Sequence, residues 1–180
     1  MTATAKRVVT MGLNSLKVGE SVAKGNTGDT GLMPSTMTQQ GNVYRDSLSF
    51  TTENPEINEV YCEENDTPLA VVGTLGKSEL AFDIVNPSVE DCEKWGYGTK
   101  DLTGDKQALK APKTWVEVEK AIEVNPTVGY KIEIPRANIV ASMTGGGKKS
   151  EPMLLHVVAT VMIPLDASNV EHDPIIYTEI

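Results

Sequence analysis

The fold is decided by TWVEVEKAIEVNPTVGYKIEIPRANIVAS, residues 114–142, together with MLLHVVATVMIP, residues 153–164. Apolar residues of the first run share one parity and acidic residues share the other: Val116, Val118, Ile122 and Val124 against Glu117, Glu119 and Glu123. Successive side chains of a strand point to opposite faces of a sheet, so this alternation predicts half-buried antiparallel strands. The C-terminal third therefore predicts a β-meander with one solvent-exposed face.

A glycine-rich segment separates the two runs. The sequence TGGGKKSEP, residues 144–152, combines three consecutive glycines with charged residues, which is typical of an exposed hairpin tip. A phosphate-binding loop would need Gly, four residues and Gly-Lys-Ser/Thr at the start of a helix. Here Gly147-Lys148 is followed by Lys149 and then by a strand pattern, so we interpret the segment as a turn.

Length and composition indicate one domain, residues 1–180, whose core is built from aliphatic side chains. Aromatic residues make up only 5% of the chain, and the net charge is −9. An acidic surface argues against a protein that grips nucleic acid, because phosphate binding needs clustered Lys and Arg. No apolar run approaches the ~20 residues of a membrane-spanning helix. The N-terminal residues lack the apolar centre of a secretion signal, so we expect Cys62 and Cys92 to be free thiols.

The segments before residue 86 predict further strands around one long polar loop. Residues 2–18 predict one or two short strands. Residues 19–42 are rich in Gly, Thr, Ser and Gln, and we expect this loop not to pack in the core of its own subunit. Residues 43–54 and 56–65 predict a hairpin, and 68–73 and 79–85 predict two more strands. The apolar residues expected to face inward are Tyr44, Leu48 and Phe50 in the hairpin, and Leu80, Phe82 and Ile84 in the last strand.

One short helix is predicted at about residues 87–96. Ser88 and Asp91 are spaced as in a capping box, and Gly96 stands where a helix ends. Cys92 then lies on the inner face of the helix as a packing residue, and its acidic neighbours disfavour a thiolate. Residues 98–112 predict a polar surface loop, and residues 167–180 predict a short C-terminal extension.

The sequence offers no constellation that points to an enzyme. His156 shares a predicted strand face with Leu154 and Val158, where a lone histidine is more often a satisfied structural residue than a base or a metal ligand. Neither His156 nor His172 has a cysteine or carboxylate at metal-ligand spacing. We therefore predict no catalytic residue, no metal and no cofactor.

Four segments taken in order carry a resemblance to a known family. They are the polar loop 19–40; SLSFTTENPEINEVYCEEN, residues 47–65; LAFDIVNPSVEDCEKWGYGT, residues 80–99; and YKIEIPRANIVAS with LLHVVATVMIPLD, residues 130–142 and 154–166. Together they resemble the tail tube proteins, or major tail proteins, of long-tailed bacteriophages. The resemblance extends from about Leu32 to Asp166.

This resemblance implies a β-sandwich or split barrel with one flanking helix, assembled as homohexameric rings that stack into a tube for genome delivery. The expected location is the virion tail, after synthesis in the bacterial cytoplasm. The expected partners are other copies of the chain and further tail proteins, namely the tape measure, the terminator and the distal tail or baseplate proteins. DNA would pass through without specific binding, and no membrane partner is implied.

Two sets of residues are candidates for roles in such a tube. Carboxylates on the predicted polar faces are candidates to line the lumen: Glu53, Glu59, Glu117, Glu119 and Glu123. Residues of the polar loop are candidates for contacts between subunits: Asn26, Thr30, Met33 and Gln39. If each of six subunits lends four strands to one closed barrel, strand spacing and tilt give a backbone radius of roughly 26 Å, which leaves room for a DNA duplex.

Two other classes of protein stay open. A different virion part, such as a head–tail completion or decoration protein, would share the acidic, β-rich and cofactor-free character. A ligand-binding β-sandwich, such as a carbohydrate-binding module, would usually expose several aromatic residues on one face, whereas this chain has two tryptophans, one of them in the predicted helix.

Overall fold

The computed structural model describes residues 11–63, 65–103, 107–145 and 151–180. Within these residues the chain forms strands joined by loops and one helix. In chain order these are β1 (Met11–Glu20), β2 (Thr38–Gln40), β3 (Ser49–Thr52), β4 (Glu56–Cys62), β5 (Asn65–Thr74), β6 (Ser78–Val85), α1 (Val89–Lys94), β7 (Thr99–Asp101), β8 (Ala108–Lys110), β9 (Val118–Val128), β10 (Tyr130–Thr144), β11 (Leu154–Val161) and β12 (Ile176–Glu179). The predicted mainly β, antiparallel fold with one short helix is confirmed, and the described strands form no closed barrel.

The main sheet has the strand order β2-β1-β9-β10-β11-β6-β3, and β12 pairs with the first residues of β10. Consecutive strands β9, β10 and β11 are antiparallel neighbours, so the predicted meander is confirmed. Strand β9 begins at Val118 and not at Thr114, because pairing with β10 begins where Val118 faces Ile139. The hairpin tip at residues 146–150 lies outside the described residues.

A bulge in β10 decides which of its side chains face the core. Ile134 pairs with Ile122, but Ala137 pairs with Lys120, so β10 has one extra residue at Pro135 and Arg136. Proline has no N–H to donate and fits a sheet interior at such a bulge. The inward parity therefore changes from Ile134 before the bulge to Ala137 and Ile139 after it.

The core lies on one face of the main sheet, under the helix. Leu80, Phe82 and Ile84 of β6 are fully buried, as predicted, and the Trp95 ring packs edge-on against Phe82 at 5.2 Å between centroids. The predicted capping box of Ser88 and Asp91 is also confirmed. Gly96 has a φ of +77°, a conformation that favours glycine and ends the helix.

The hairpin predicted at residues 43–65 is wrong. Strand β3 pairs with β6, placing Phe50 opposite Leu80 at the margin of the core, whereas β4 pairs with β5 in a separate two-stranded sheet. The alternation of apolar and polar residues predicted both strands correctly, but it does not determine which strand each of them pairs with. The choice follows from packing, because only β3 has apolar side chains that reach the core cluster.

Three predicted irregular segments are more ordered than expected. Residues 19–20 belong to β1, residues 38–40 form β2, and between them Ala23 is fully buried. Residues 98–112 contain the β7–β8 pair. The segment 167–180 ends in β12, which adds to the main sheet. The expectation that the polar loop does not pack in the core of its own subunit is therefore wrong for Ala23 and Gln40, and a backbone hydrogen bond from Gly25 to Leu165 also attaches the loop to the rest of the subunit.

Candidate assembly surfaces

Strands β4 and β5 form a two-stranded hairpin, residues 56–74, which we call the arm. No other described strand or helix packs extensively against it. Its base is held to the body, where Glu53 N–H donates to the Lys77 carbonyl at 2.9 Å. The backbone of Gly76 lies so close to the Glu53 backbone that a Cβ at position 76 would come within 2.2 Å of the Glu53 carbonyl oxygen. The arm is thus fixed at its base and otherwise unsupported.

Both faces of the arm expose apolar side chains to solvent. Direct pairing of Glu59 with Val71, and of Asn58 with Val72, sorts the arm residues into two faces. The Glu59 face carries Ile57, Glu59, Tyr61, Leu69 and Val71, and the opposite Val72 face carries Asn58, Val60, Ala70 and Val72. The large apolar side chains among them are all more than half exposed. An isolated two-stranded hairpin is marginally stable in water, and exposed apolar patches are typical of interaction sites, so the arm is a candidate contact surface.

A carboxylate stands in the middle of the Glu59 face. The Tyr61 hydroxyl donates a hydrogen bond to the Glu59 carboxylate, which raises the pKa of Tyr61. The Glu59 carboxylate has no basic partner in the described part of the chain. The sequence of the arm, with five acidic and no basic residues from Glu56 to Thr74, offers it none nearby.

An open groove of about 650 Å³ lies between strand β1, strand β9, helix α1 and the polar loop. One wall is formed by Val18 and Glu20 of β1 and Lys120 of β9, and the other by the polar-loop residues from Gly28 to Thr36, including Leu32, Met33 and Pro34. Lys120 is matched by an ion pair with Glu20. We call this cavity the groove.

Helix α1 contributes a second lysine to the groove. The Lys94 ammonium donates to Gln40 Oε1 at 3.1 Å and lies 5.8 Å from the centre of the Trp95 ring. Burial lowers the pKa of Lys94, although the nearby Asp91 charge opposes this effect. Among the described residues, no carboxylate lies within ion-pair distance of the Lys94 ammonium.

Gln40 connects the polar loop to the helix, a role that sequence reasoning missed. Its Oε1 accepts hydrogen bonds from the indole N–H of Trp95 and from Lys94, each at 3.1 Å. Its Nε2 donates to Asp91 Oδ1 and to the Gly41 carbonyl, each at 3.0 Å. A buried glutamine is stable when all its hydrogen-bonding capacity is used, and here the amide makes four bonds.

The structure separates the five predicted lumen carboxylates. Glu53 is exposed at the base of the arm, Glu59 is exposed in the arm, and Glu117 is exposed just before β9. Glu119 and Glu123 lie on β9, opposite Asn138 and Glu133 of β10. The five residues therefore do not form one continuous acidic face within a single copy.

Glu119 is not on a solvent-exposed face, contrary to the sequence alternation. It is 8% exposed, and its Oε1 accepts from Arg136 at 2.9 Å while Lys24 lies 3.7 Å from its Oε2. The bulge at Pro135 and Arg136 brings the guanidinium over this position, a displacement that periodicity does not reveal. The negative charge of Glu119 is therefore balanced by Arg136 and Lys24.

Glu123 is also paired. Burial disfavours its ionised form, but hydrogen bonds from Lys17 at 2.8 Å and Asn125 at 2.7 Å outweigh that effect and hold the pKa of Glu123 below its ordinary value. The outward face of β9 therefore adds little net negative charge to the surface.

The four predicted loop residues occupy two places. Thr30 and Met33 line the groove. Asn26 and Gln39 are exposed, and Asn26 donates its backbone N–H to Asp29 Oδ2 at 3.0 Å in a turn beyond the groove. Their predicted contacts between subunits remain predictions.

Each of the two histidines lies beside a carboxylate, but only His156 is hydrogen-bonded to it. His156 lies on the sheet face opposite the core, with Nδ1 2.7 Å from Asp83 Oδ1, and Ser142 is its cross-strand neighbour. A Ser-His-Asp site needs the serine hydroxyl bonded to the imidazole, and no such bond joins Ser142 to His156 in the described structure. His172 packs against Gly31, and its Nε2 lies 3.6 Å from Asp166 Oδ2. His156 is thus a satisfied surface residue.

The described residues contain no group of three His, Cys, Asp or Glu side chains that could hold a metal ion. They also contain no helix long and apolar enough to cross a membrane. The molecule is, in class, an antiparallel β domain that presents an arm and a groove. Comparison with protein-family models and with curated protein sequences found no match.

Proposed function

We propose that this protein is a structural subunit that assembles with copies of itself into stacked hexameric rings, forming the tail tube of a long-tailed bacteriophage. The observation that carries the proposal is the arm. A projecting hairpin with apolar residues on both faces is unfavourable in an isolated subunit and becomes favourable once a neighbour covers it.

The charge distribution supports a role as a conduit. The net charge is −9, and the described outward face of the main sheet pairs its lysines and arginine with carboxylates, as in Lys17–Glu123 and Arg136–Glu119. A surface without a free basic cluster does not retain phosphates, so DNA can pass without specific binding. In this proposal the protein belongs to the virion, and the tape measure, terminator and distal tail or baseplate proteins are its further partners. Of the five carboxylates predicted to line the lumen, Glu53, Glu59 and Glu117 are exposed in a single copy.

Electron microscopy of the purified protein tests the proposal. We expect rings or tubes in negative stain from the full chain, and folded monomers from a variant in which residues 56–74 are replaced by a short Gly/Ser linker. Thermal unfolding of that variant checks that the core is intact. A full chain that stays monomeric at high concentration, or a linker variant that still forms normal tubes, would contradict the proposed role.

A head–tail completion or decoration protein would form a single ring or bind a preformed surface without stacking. The length of the assemblies therefore separates that alternative from a tube. A ligand-binding β-sandwich would leave the protein monomeric in the same images.

A further inference from the structure

The arm and the groove are formed by different strands of the molecule. Strands β3 and β6, which flank the arm in the chain, stand at one end of the strand order, and β1 and β2, which border the groove, stand at the other. A contact between the arm of one copy and the groove of another is therefore heterologous. Contacts of this type repeat from copy to copy, and they either close into rings or continue as filaments.

The groove defines the chemistry of its occupant. Its walls are mainly apolar, formed by Val18, Leu32, Met33 and Pro34. Its two lysines differ, because Lys120 is already paired with Glu20, whereas Lys94 contacts the Gln40 amide oxygen and the Trp95 ring and has no carboxylate within ion-pair distance among the described residues. An occupant that fits would combine apolar side chains with one carboxylate placed to reach Lys94.

The Glu59 face of the arm has this composition. Ile57, Leu69 and Val71 surround Glu59, whose carboxylate is held by Tyr61 and has no basic partner in the described part of its own subunit. The Val72 face presents Asn58 where the Glu59 face presents its carboxylate, so the two faces are not equivalent.

We propose, building on the function above, that the Glu59 face of the arm of one copy docks in the groove of the next copy, with Glu59 paired to Lys94. The contact covers the apolar residues of the Glu59 face and gives Lys94 a carboxylate partner. It assigns Glu59 to an interface between copies and not to the wall of the lumen. It also gives Thr30 and Met33, which line the groove, their predicted role at a subunit boundary.

Charge reversal tests the pairing. Glu59→Lys and Lys94→Glu should each raise the concentration needed for assembly by about tenfold or more, because each places like charges at the contact. The double variant Glu59→Lys with Lys94→Glu should restore most of the assembly. The control Glu56→Lys changes an exposed carboxylate at the base of the arm and should assemble normally. Normal assembly of both single variants would overturn the pairing, as would a double variant no better than the singles.

Cysteine cross-linking tests the docking even if Lys94→Glu weakens the fold. Two preparations, both carrying Cys62→Ser, receive Val71→Cys and Leu32→Cys respectively, and are mixed, assembled and oxidised. We expect several times more cross-linked dimer than with Val72→Cys in place of Val71→Cys, since Val72 has the same 58% exposure but lies on the other face.

The outcomes separate the two proposals. Tubes without preferential Val71–Leu32 linkage overturn the docking and leave the proposed function standing. A wild-type chain that forms no assembly overturns both. Tubes with the linkage support both.

Discussion

The main sheet and the arm use the same apolar residue types in opposite environments. Leu80 in β6 is fully buried, whereas Leu69 in β5 is 70% exposed, and both lie on antiparallel strands of similar length. The main sheet buries one face under the helix, and its other face mixes ion pairs with partly exposed apolar residues such as Val140. The arm differs because neither of its faces is covered in the described part of the subunit.

The largest expected effect separates the two regions directly. Leu80→Ala should lower the free energy of unfolding by about 2–5 kcal/mol, because it opens a cavity in a close-packed core. Leu69→Ala should change it by less than about 0.5 kcal/mol, because the side chain is exposed. Chemical denaturation of the unassembled protein measures both. A comparable loss from Leu69→Ala would mean that the arm packs on its own subunit.

A second comparison concerns the carboxylates of β9 and the segment before it. Glu119→Gln should cost about 1–3 kcal/mol, because Arg136 loses its charged partner in a nearly buried site. Glu117→Gln, at an exposed position, should cost nothing measurable. Equal stability of the two variants in urea denaturation would contradict the structural role assigned to Glu119.

A smaller effect on the free energy of unfolding is expected for Cys92, the buried thiol of helix α1. Burial, followed by the nearby Asp91 charge, raises the pKa of Cys92, so the thiolate is disfavoured. Cys92→Ala should cost on the order of 1 kcal/mol and leave assembly intact. In a Cys62→Ser background, Cys92 should react slowly with a thiol reagent at neutral pH, and rapid modification of the folded protein would refute the packing role.

The smallest expected effect is the pH dependence of the helix cap. Burial of Asp91 disfavours its charge, but hydrogen bonds from Gln40 and Ser88 outweigh burial and lower its pKa. A carboxyl whose pKa is lower in the folded state stabilises the fold above its unfolded pKa of about 4, and that contribution is lost as the pH falls through the folded pKa.

The difference between wild type and Asp91→Asn isolates this contribution. In thermal unfolding from pH 7 to pH 3, we expect the wild-type advantage to be largest at neutral pH and to shrink at the acidic end. An advantage that stays constant over this range would show that Asp91 acts as a hydrogen-bonding group and not through its charge. Glu117→Gln is the matched control, at an exposed carboxylate with no ion-pair partner among the described residues.

Local sequence patterns predicted a helix or strand correctly where the residues that determine it lie within one short stretch of the chain. Ser88, Asp91 and Gly96 specify the ends of α1, because a capping box and a terminal glycine act within a few residues. The alternation in β6 specified a strand, because one of its faces is buried at every second residue. In β9 and β10 shorter alternating stretches predicted the strands, although burial in the structure departs from a regular period near the bulge.

Local patterns could not predict which strand pairs with which, or which residues are buried near a bulge. The hairpin wrongly predicted at residues 43–65 shows that the alternation within a strand does not determine which strand it pairs with. Glu119 lies at a position that the alternation assigns to the exposed face, yet it is buried in an ion pair. The reason is the bulge at Pro135 and Arg136, which places the Arg136 side chain over Glu119. Gln40 looked like one more polar loop residue, and only the approach of α1 gives its amide four hydrogen bonds.

The sequence by itself determined that this protein is a mainly β, acidic domain with one capped helix, since these properties depend on composition and on periods of two and of 3.6 residues. Only the tertiary structure decided that β4 and β5 leave the core as an arm, and that β1, β9, α1 and the polar loop enclose a groove. Those features depend on contacts between residues that are far apart in the chain. A local sequence pattern contains no information on which distant segments pack together in the core.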